Sequence, residues 1–156
     1  MDYKISGLSA KPFQHLFGLP EHELAQKNVI RYNVDEYPGF PDRIEMRDAA
    51  VGKTVLLLNF QHQPTHSPYQ ASHAIFVSES ANKTYTEVNT IPKVLSSRLQ
   101  SLRGFSDQGM LIDADIANGE QELSNLIRRF FQNQLISYIH THNAKQGCYS
   151  GIVERL

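Results

Sequence analysis

Most of the apolar residues of this chain come in short, strand-sized segments, and only one stretch carries a long, unbroken helical stripe. The fold must therefore be mostly sheet, with one dominant helix to cover it. That stretch is Asn118–Asn133, where Leu123, Leu126, Ile127, Phe130 and Phe131 recur at i, i+3, i+4, i+7 and i+8 and make one apolar face. Asn118 suits an N-cap, and Gln121 stands where a capping-box partner would. Glu120 and Glu122 lie at the positive end of the dipole, Arg128 and Arg129 nearer the negative end.

The rest reads as strands and turns. Residues 12–27 are helical but broken by Gly18 and Pro20, with a second short helix over Glu21–Lys27. Val29–Asp35 alternates and is β-rich, YPGFP at 37–41 is a turn, and Arg43–Arg47 is a short strand with Ile44 and Met46 on one face. Thr54–Phe60 (TVLLLNF) is the clearest strand, apolar enough to be covered on both sides. The polar segment Gln61–Ser72 carries two prolines and reads as a long loop. His73–Glu79 is strand, Pro92–Gln100 a short helix, and Leu102–Ser106 with Met110–Ile116 a hairpin. Ile136–His142 and Cys148–Glu154 form a last hairpin around NAKQG. The total is an α+β fold: a mainly antiparallel sheet, open or barrel-like, of about eight strands with three or four helices.

A chain of 156 residues implies one domain, 1–156, that can bury roughly two-thirds of its surface. Fifteen Lys+Arg against sixteen Asp+Glu leave no basic excess, which argues against a nucleic-acid partner. A single Cys excludes an internal disulfide. No apolar run is long enough for a membrane span, and MDYKISGLSAKP has no apolar signal core, so the expectation is a soluble, cytoplasmic protein. No GxGxxG or Walker pattern supports nucleotide binding.

Three blocks, YPGFPDRIEMRDAAVGKTVLLLNF at 37–60, SPYQASHAIFV at 67–77 and YIHTHNAKQGCYSGIVER at 138–155, resemble in order and spacing the bacterial domain of unknown function family 1203. The resemblance covers nearly the whole chain. It implies a bacterial single-domain protein with no assigned activity and no functional residues to carry over. In the pattern this resemblance brings, Cys often stands where this chain has Asp42, and Gly in some relatives where it has His73. On that reading neither side chain serves a chemistry shared by the family.

Histidine is the unusual feature. Five of seven fall in two short segments: His62, His66 and His73, then His140 and His142. Residues i and i+2 of a strand share a face, so His140 and His142 project together and can converge on a divalent metal such as zinc, with His62, His66 or His73 as further ligands. No HExxH and no paired CxxC accompanies them, and half-exposed strand histidines making ordinary hydrogen bonds remain the commoner case. With NAKQG as a five-residue loop, His142 pairs with Cys148, His140 with Ser150 and Tyr138 with Ile152. His140, His142 and Cys148 then share one face and are the candidate catalytic residues, with Cys148 as a thiolate nucleophile. A register slip of one residue removes that idea, and a lone buried Cys is the bland alternative. Arg43, Tyr69 and Asn143 are candidate substrate-binding residues, Arg43 through its fork to a carboxylate or phosphate. Asp113 and Asp115 read as a solvent face. The expected function is a histidine-lined small-molecule site with acid–base, thiol or metal-assisted chemistry. A non-catalytic ligand-sensing or protein-interaction module is the alternative. Enzyme status and oligomeric state stay open.

Overall fold

The computed structural model describes residues 1–156 as eleven strands, three α-helices and one 3-10 turn. The strands are β1 (Tyr3–Ser6), β2 (Ile30–Asn33), β3 (Pro41–Asp42), β4 (Arg47–Asp48), β5 (Thr54–Gln63), β6 (Ala71–Ser78), β7 (Thr86–Val88), β8 (Gln100–Phe105), β9 (Leu111–Ala117), β10 (Tyr138–Asn143) and β11 (Tyr149–Arg155). The helices are α1 (Glu21–Gln26), α2 (Lys93–Ser96) and α3 (Gly119–Gln132).

Two sheets result. The larger runs β7-β1-β11-β10-β8-β9 and is antiparallel throughout. The smaller runs β2-β5-β6-β3-β4, with one parallel contact, Asp42↔Phe76, between β3 and β6. The sheets do not close into a barrel, which corrects that part of the expectation, and the strands number eleven rather than about eight. The additional ones are short. β1 (YKIS) and β7 are edge-side strands of four and three residues.

α3 lies where the apolar stripe places it. Leu123, Leu126, Ile127, Phe130 and Phe131 pack with Tyr3, Ile5, Leu102, Ile139 and Val153 in the main core. Gly104 of β8 lets the helix side approach closely. A Cβ there would stand 2.7 Å from Ile136 Cδ1 and 3.2 Å from Phe130 Cδ2. A second core packs Leu56, Leu58, Ile75 and Val77 of the small sheet with Ala10, Phe13, Leu16 and Leu24 of the N-terminal segment, and Tyr149 is its one member from the large sheet. The large sheet has α3 on one face, and the other face meets the small sheet through Tyr138, His140, His142 and Tyr149.

Three local expectations change. β5 continues to Gln63 and β6 starts at Ala71, so the loop spans only 64–70. Residues 43–46 are a turn between β3 and β4 rather than a strand, though Ile44 and Met46 are buried as the pattern implied. The 138–155 hairpin has a different register: Tyr138↔Glu154, Ile139↔Val153, His140↔Ile152, Thr141↔Gly151, then a bulge, then His142↔Tyr149.

Candidate functional site

Four histidines meet between the sheets, around Tyr149. His62 comes from the end of β5, His73 from the start of β6, and His140 and His142 from the same face of β10. Irregularities in two ladders aim them. Between Phe60 and Gln63, β5 has one residue more than β6 opposite it, which carries His62 and Gln63 inward together. In β11 the bulge at Ser150 turns Tyr149 to the site face, opposite His142, while Gly151 and Val153 face α3.

The rings are in close contact. His62 Nε2 and His73 Nδ1 are 2.7 Å apart, His62 stacks on Tyr149 with centroids 5.1 Å apart, and His142 lies edge-on to both His62 and His73 at 5.0 and 5.4 Å. One ring nitrogen from each of His62, His73 and His142 lies within 4.8 Å of the other two. His142 Nδ1 sits 2.9 Å from the Gly147 carbonyl oxygen, which can only accept, so Nδ1 carries the proton. Gly147 has a φ of 78°, the left-handed conformation that brings its carbonyl round to the ring. His142 Nε2 is therefore a bare lone pair, buried and without a partner. His62 Nδ1 and His140 Nδ1 are also buried and unpartnered.

The surroundings keep these rings neutral. Burial pushes His140 and His142 down to about 3 and His62 down to about 4, with neighbouring charges adding to the effect. Arg103 pairs across from His140 on β8, and its charge acts on all four histidines. His73, less buried, shifts in the same direction. Burial raises the Tyr149 hydroxyl well above its usual range. Outward of His140, Tyr138 exchanges hydrogen bonds with Gln63 at 2.8 and 3.1 Å beside a cleft of about 460 Å³.

A second cleft, about 620 Å³, opens on the other side of His73. β3 touches β6 only at Asp42↔Phe76, so the β6 edge from His73 to Ile75 has no strand beside it, and the cleft forms there. Arg43, Asn143 and Cys148 line it. Arg43 is buried and donates to the Tyr149 carbonyl (2.9 Å), the Pro41 carbonyl (2.6 Å) and the Cys148 sulfur (3.1 Å). Asn143 Oδ1 accepts from Gln100 Nε2 (2.9 Å) and Ser150 Oγ (3.0 Å).

The sequence-derived residues divide accordingly. His62, His73, His140 and His142 come together, and Arg43 and Asn143 line the neighbouring cleft. Cys148 does not share the face of His140 and His142. The extra residue at Ser150 inverts the alternation beyond it, so Cys148 turns to Arg43 and Asn143, and the His142–Cys148 pair is not formed. His66 is exposed in the 64–70 loop, outside the cluster, and Tyr69 is exposed with its ring near Phe105, lining neither cleft. Tyr149, Gln63 and Arg103 were not singled out from sequence. The alternation that places His140 on one face places Arg103 there only once the strand order is known.

The comparisons with known proteins add one match. The family model DUF1203, described as a protein of unknown function, matches residues 39–155 of the 156-residue chain, and the chain belongs to that family. No curated protein and no solved structure matches. No helix is long and apolar enough to cross a membrane.

Proposed function

We propose that this member of the DUF1203 family binds a divalent transition metal such as zinc through His62, His73 and His142, and that the metal serves a small-molecule site in the adjoining clefts. The observation that carries this reading is the state of His142. Its Nδ1–H is held by a backbone carbonyl while its Nε2 lone pair is buried with nothing to accept, which is how metal-ligating histidines are commonly oriented. The low pKa values support it, because a ligand imidazole must be neutral.

The fit requires small movements. Nitrogens at about 2.0–2.1 Å from a tetrahedral zinc stand about 3.3–3.4 Å apart. The His62–His73 contact of 2.7 Å must widen, and the longer separations, up to 4.8 Å, must close. Such shifts lie within reach of side-chain rotation. Three histidines leave a fourth position for water or for an atom of a bound molecule. A metal there can activate a water or polarise a bound oxygen. General acid–base work by the histidines alone is less well supported, since values near 3 lie far below a neutral working pH. Ligand sensing at the same metal, without turnover, is the second reading, and the burial of His62 and His142, with His73 half-buried beside them, favours it over a surface interaction module.

The test is titration of EDTA-treated protein with Co²⁺ and Zn²⁺, followed by visible absorbance and calorimetry. One ion per chain is expected, with the intense visible bands of tetrahedral cobalt. His142→Ala and His62→Ala should lose binding while keeping the native circular dichroism spectrum, and His66→Ala should bind as the parent does. Binding that survives His142→Ala, or no binding by the folded parent, overturns the reading.

A further inference from the structure

We infer that the 620 Å³ cleft holds an oxyanion, a carboxylate or phosphate group of a small molecule, on the buried guanidinium of Arg43. This deepens the function proposed above, and it rests on that reading only for the claim that the anion belongs to the molecule presented to the metal.

The argument begins with charge. Arg43 is 3 % exposed, and no carboxylate oxygen lies within 4 Å of its guanidinium. Its neighbour Asp42 is committed elsewhere. One Asp42 oxygen accepts from Ser78 N and the other from Glu45 N, each at 2.7 Å. The three acceptors Arg43 does have are two carbonyls and a thiol, neutral groups when the sulfur is protonated. A buried cation without a counter-ion is costly, and chains rarely keep one unless something pairs with it.

The surroundings point to what pairs with it. Arg98, the other cation of the cleft, is already balanced by Asp48 through two bonds of 2.6 and 3.0 Å. Glu36 is exposed at the cleft margin. Of the two arginines lining the cleft, Arg43 is therefore the one with no carboxylate in contact, the Asp42 carboxylate acting on it only from a distance. A guanidinium offers five N–H donors, and three acceptors leave two free. A planar fork with free donors suits a two-oxygen anion. His73 lines the same cleft and belongs to the proposed metal trio, so an anion on Arg43 holds the rest of its molecule beside the metal ligands.

Cys148 provides the probe, because it is the chain's one cysteine and its sulfur lies 3.1 Å from Arg43. Metal-free native protein is alkylated with iodoacetate and with its neutral isostere iodoacetamide. The ratio of the two rates is compared with that of the chain unfolded in urea. Both reagents attack the same thiolate, so its degree of ionisation cancels. The native ratio should favour iodoacetate by about tenfold over the unfolded ratio. Inorganic phosphate and succinate, added as competitors, should protect the sulfur, and the one that protects at lower concentration identifies the oxyanion. Arg43→Lys keeps the charge but loses the fork, and should lose most of the protection. A native ratio at or below the unfolded one, or no protection by either anion, overturns the inference. If the native thiol resists both reagents, the melting temperature decides. A rise with phosphate or succinate in the parent and not in Arg43→Lys supports the site, and equal shifts in both overturn it. The metal is absent throughout, so this result and the cobalt titration can fail separately.

Discussion

The two faces of β10 bury their side chains equally well by opposite means. Ile139 and His142 are each 0 % exposed. Ile139 meets α3 in a core of sixteen buried apolar residues. His142, three positions on, meets other imidazoles, a phenol and a carbonyl, and one of its nitrogens meets nothing. The α3 face contributes apolar burial, worth roughly 25 cal/mol per Å². The site face gives some of that up, since each buried polar atom without a partner costs about 1–3 kcal/mol. A chain that places three unpartnered imidazole nitrogens in one cluster has traded stability for something there. Burial by itself therefore does not tell core from site, whereas several unmet hydrogen-bonding atoms in one cluster do.

The sharpest way to break this comparison is to remove one large side chain from each face. Phe130→Ala on the α3 side should cost about 3–5 kcal/mol. For a chain of this length that lowers the melting temperature by about 6–20 °C. His140→Leu on the site side removes an unpartnered nitrogen and keeps the volume, and should leave the metal-free protein within a few degrees of the parent or raise it. Equal losses in the two variants, read by thermal circular dichroism, would mean that His140 is as much a core residue as Phe130.

Acid should weaken the site face selectively. An unfolded imidazole titrates near 6.5, while the folded values are about 4 for His62 and about 3 for His140 and His142. Each folded value is depressed, so below about pH 6.5 the unfolded chain takes up protons that the folded chain refuses. The stability held by the neutral rings is whole above that pH and is lost as the pH falls toward the folded values. Urea midpoints should therefore rise from pH 4 to pH 6. In His140→Leu the slope should flatten by about 1.4 kcal/mol per pH unit between about pH 4 and 5.5. Asp42, whose carboxyl burial pushes up, is common to both proteins and drops out of the difference. Parallel slopes would remove the electrostatic part of the comparison.

The same contrast explains what could be read without coordinates. The α3 stripe is a local periodicity, and every apolar residue it named is buried. The alternation of YIHTH likewise put His140 and His142 on one face, because the strand period is local too. The Cys148 pairing failed because it needed a cross-strand register, and one extra residue at Ser150 reset it with nothing in CYSGIVE to mark the position. Gln61–Ser72 read as loop because QHQ is polar. Yet His62 and Gln63 are buried against Tyr149 and Tyr138, partners that become visible only when the two sheets face each other. β1 lay within reach, since Tyr3 and Ile5 alternate with Lys4 and Ser6, but four residues are too few to stand out. Arg43 and Asn143 stood out as residues, but not the cleft that joins them, because it exists where β6 outruns β3, a fact of strand length and order.

The smallest expected effect lies at the start of α3, where the apolar face of the fold meets its first cap. Asn118 has the residue type and position of an N-cap, for which Asn→Ala costs about 0.5–2 kcal/mol. Its side chain, however, caps nothing. The bond across the first turn runs the other way, from the Asn118 N–H to Glu122 Oε2 at 2.8 Å, and the expected partner Gln121 instead bonds Asn125 along the helix at 3.0 Å. Glu122 also sits at the positive end of the dipole, so one side chain supplies both the hydrogen bond and the charge. Glu122→Ala should therefore cost about 0.5–1 kcal/mol, and Asn118→Ala less than about 0.5 kcal/mol. Because the Glu122 contribution is ionic and exposed, adding salt should shrink it. An Asn118→Ala loss larger than that of Glu122→Ala would return the cap to the asparagine side chain.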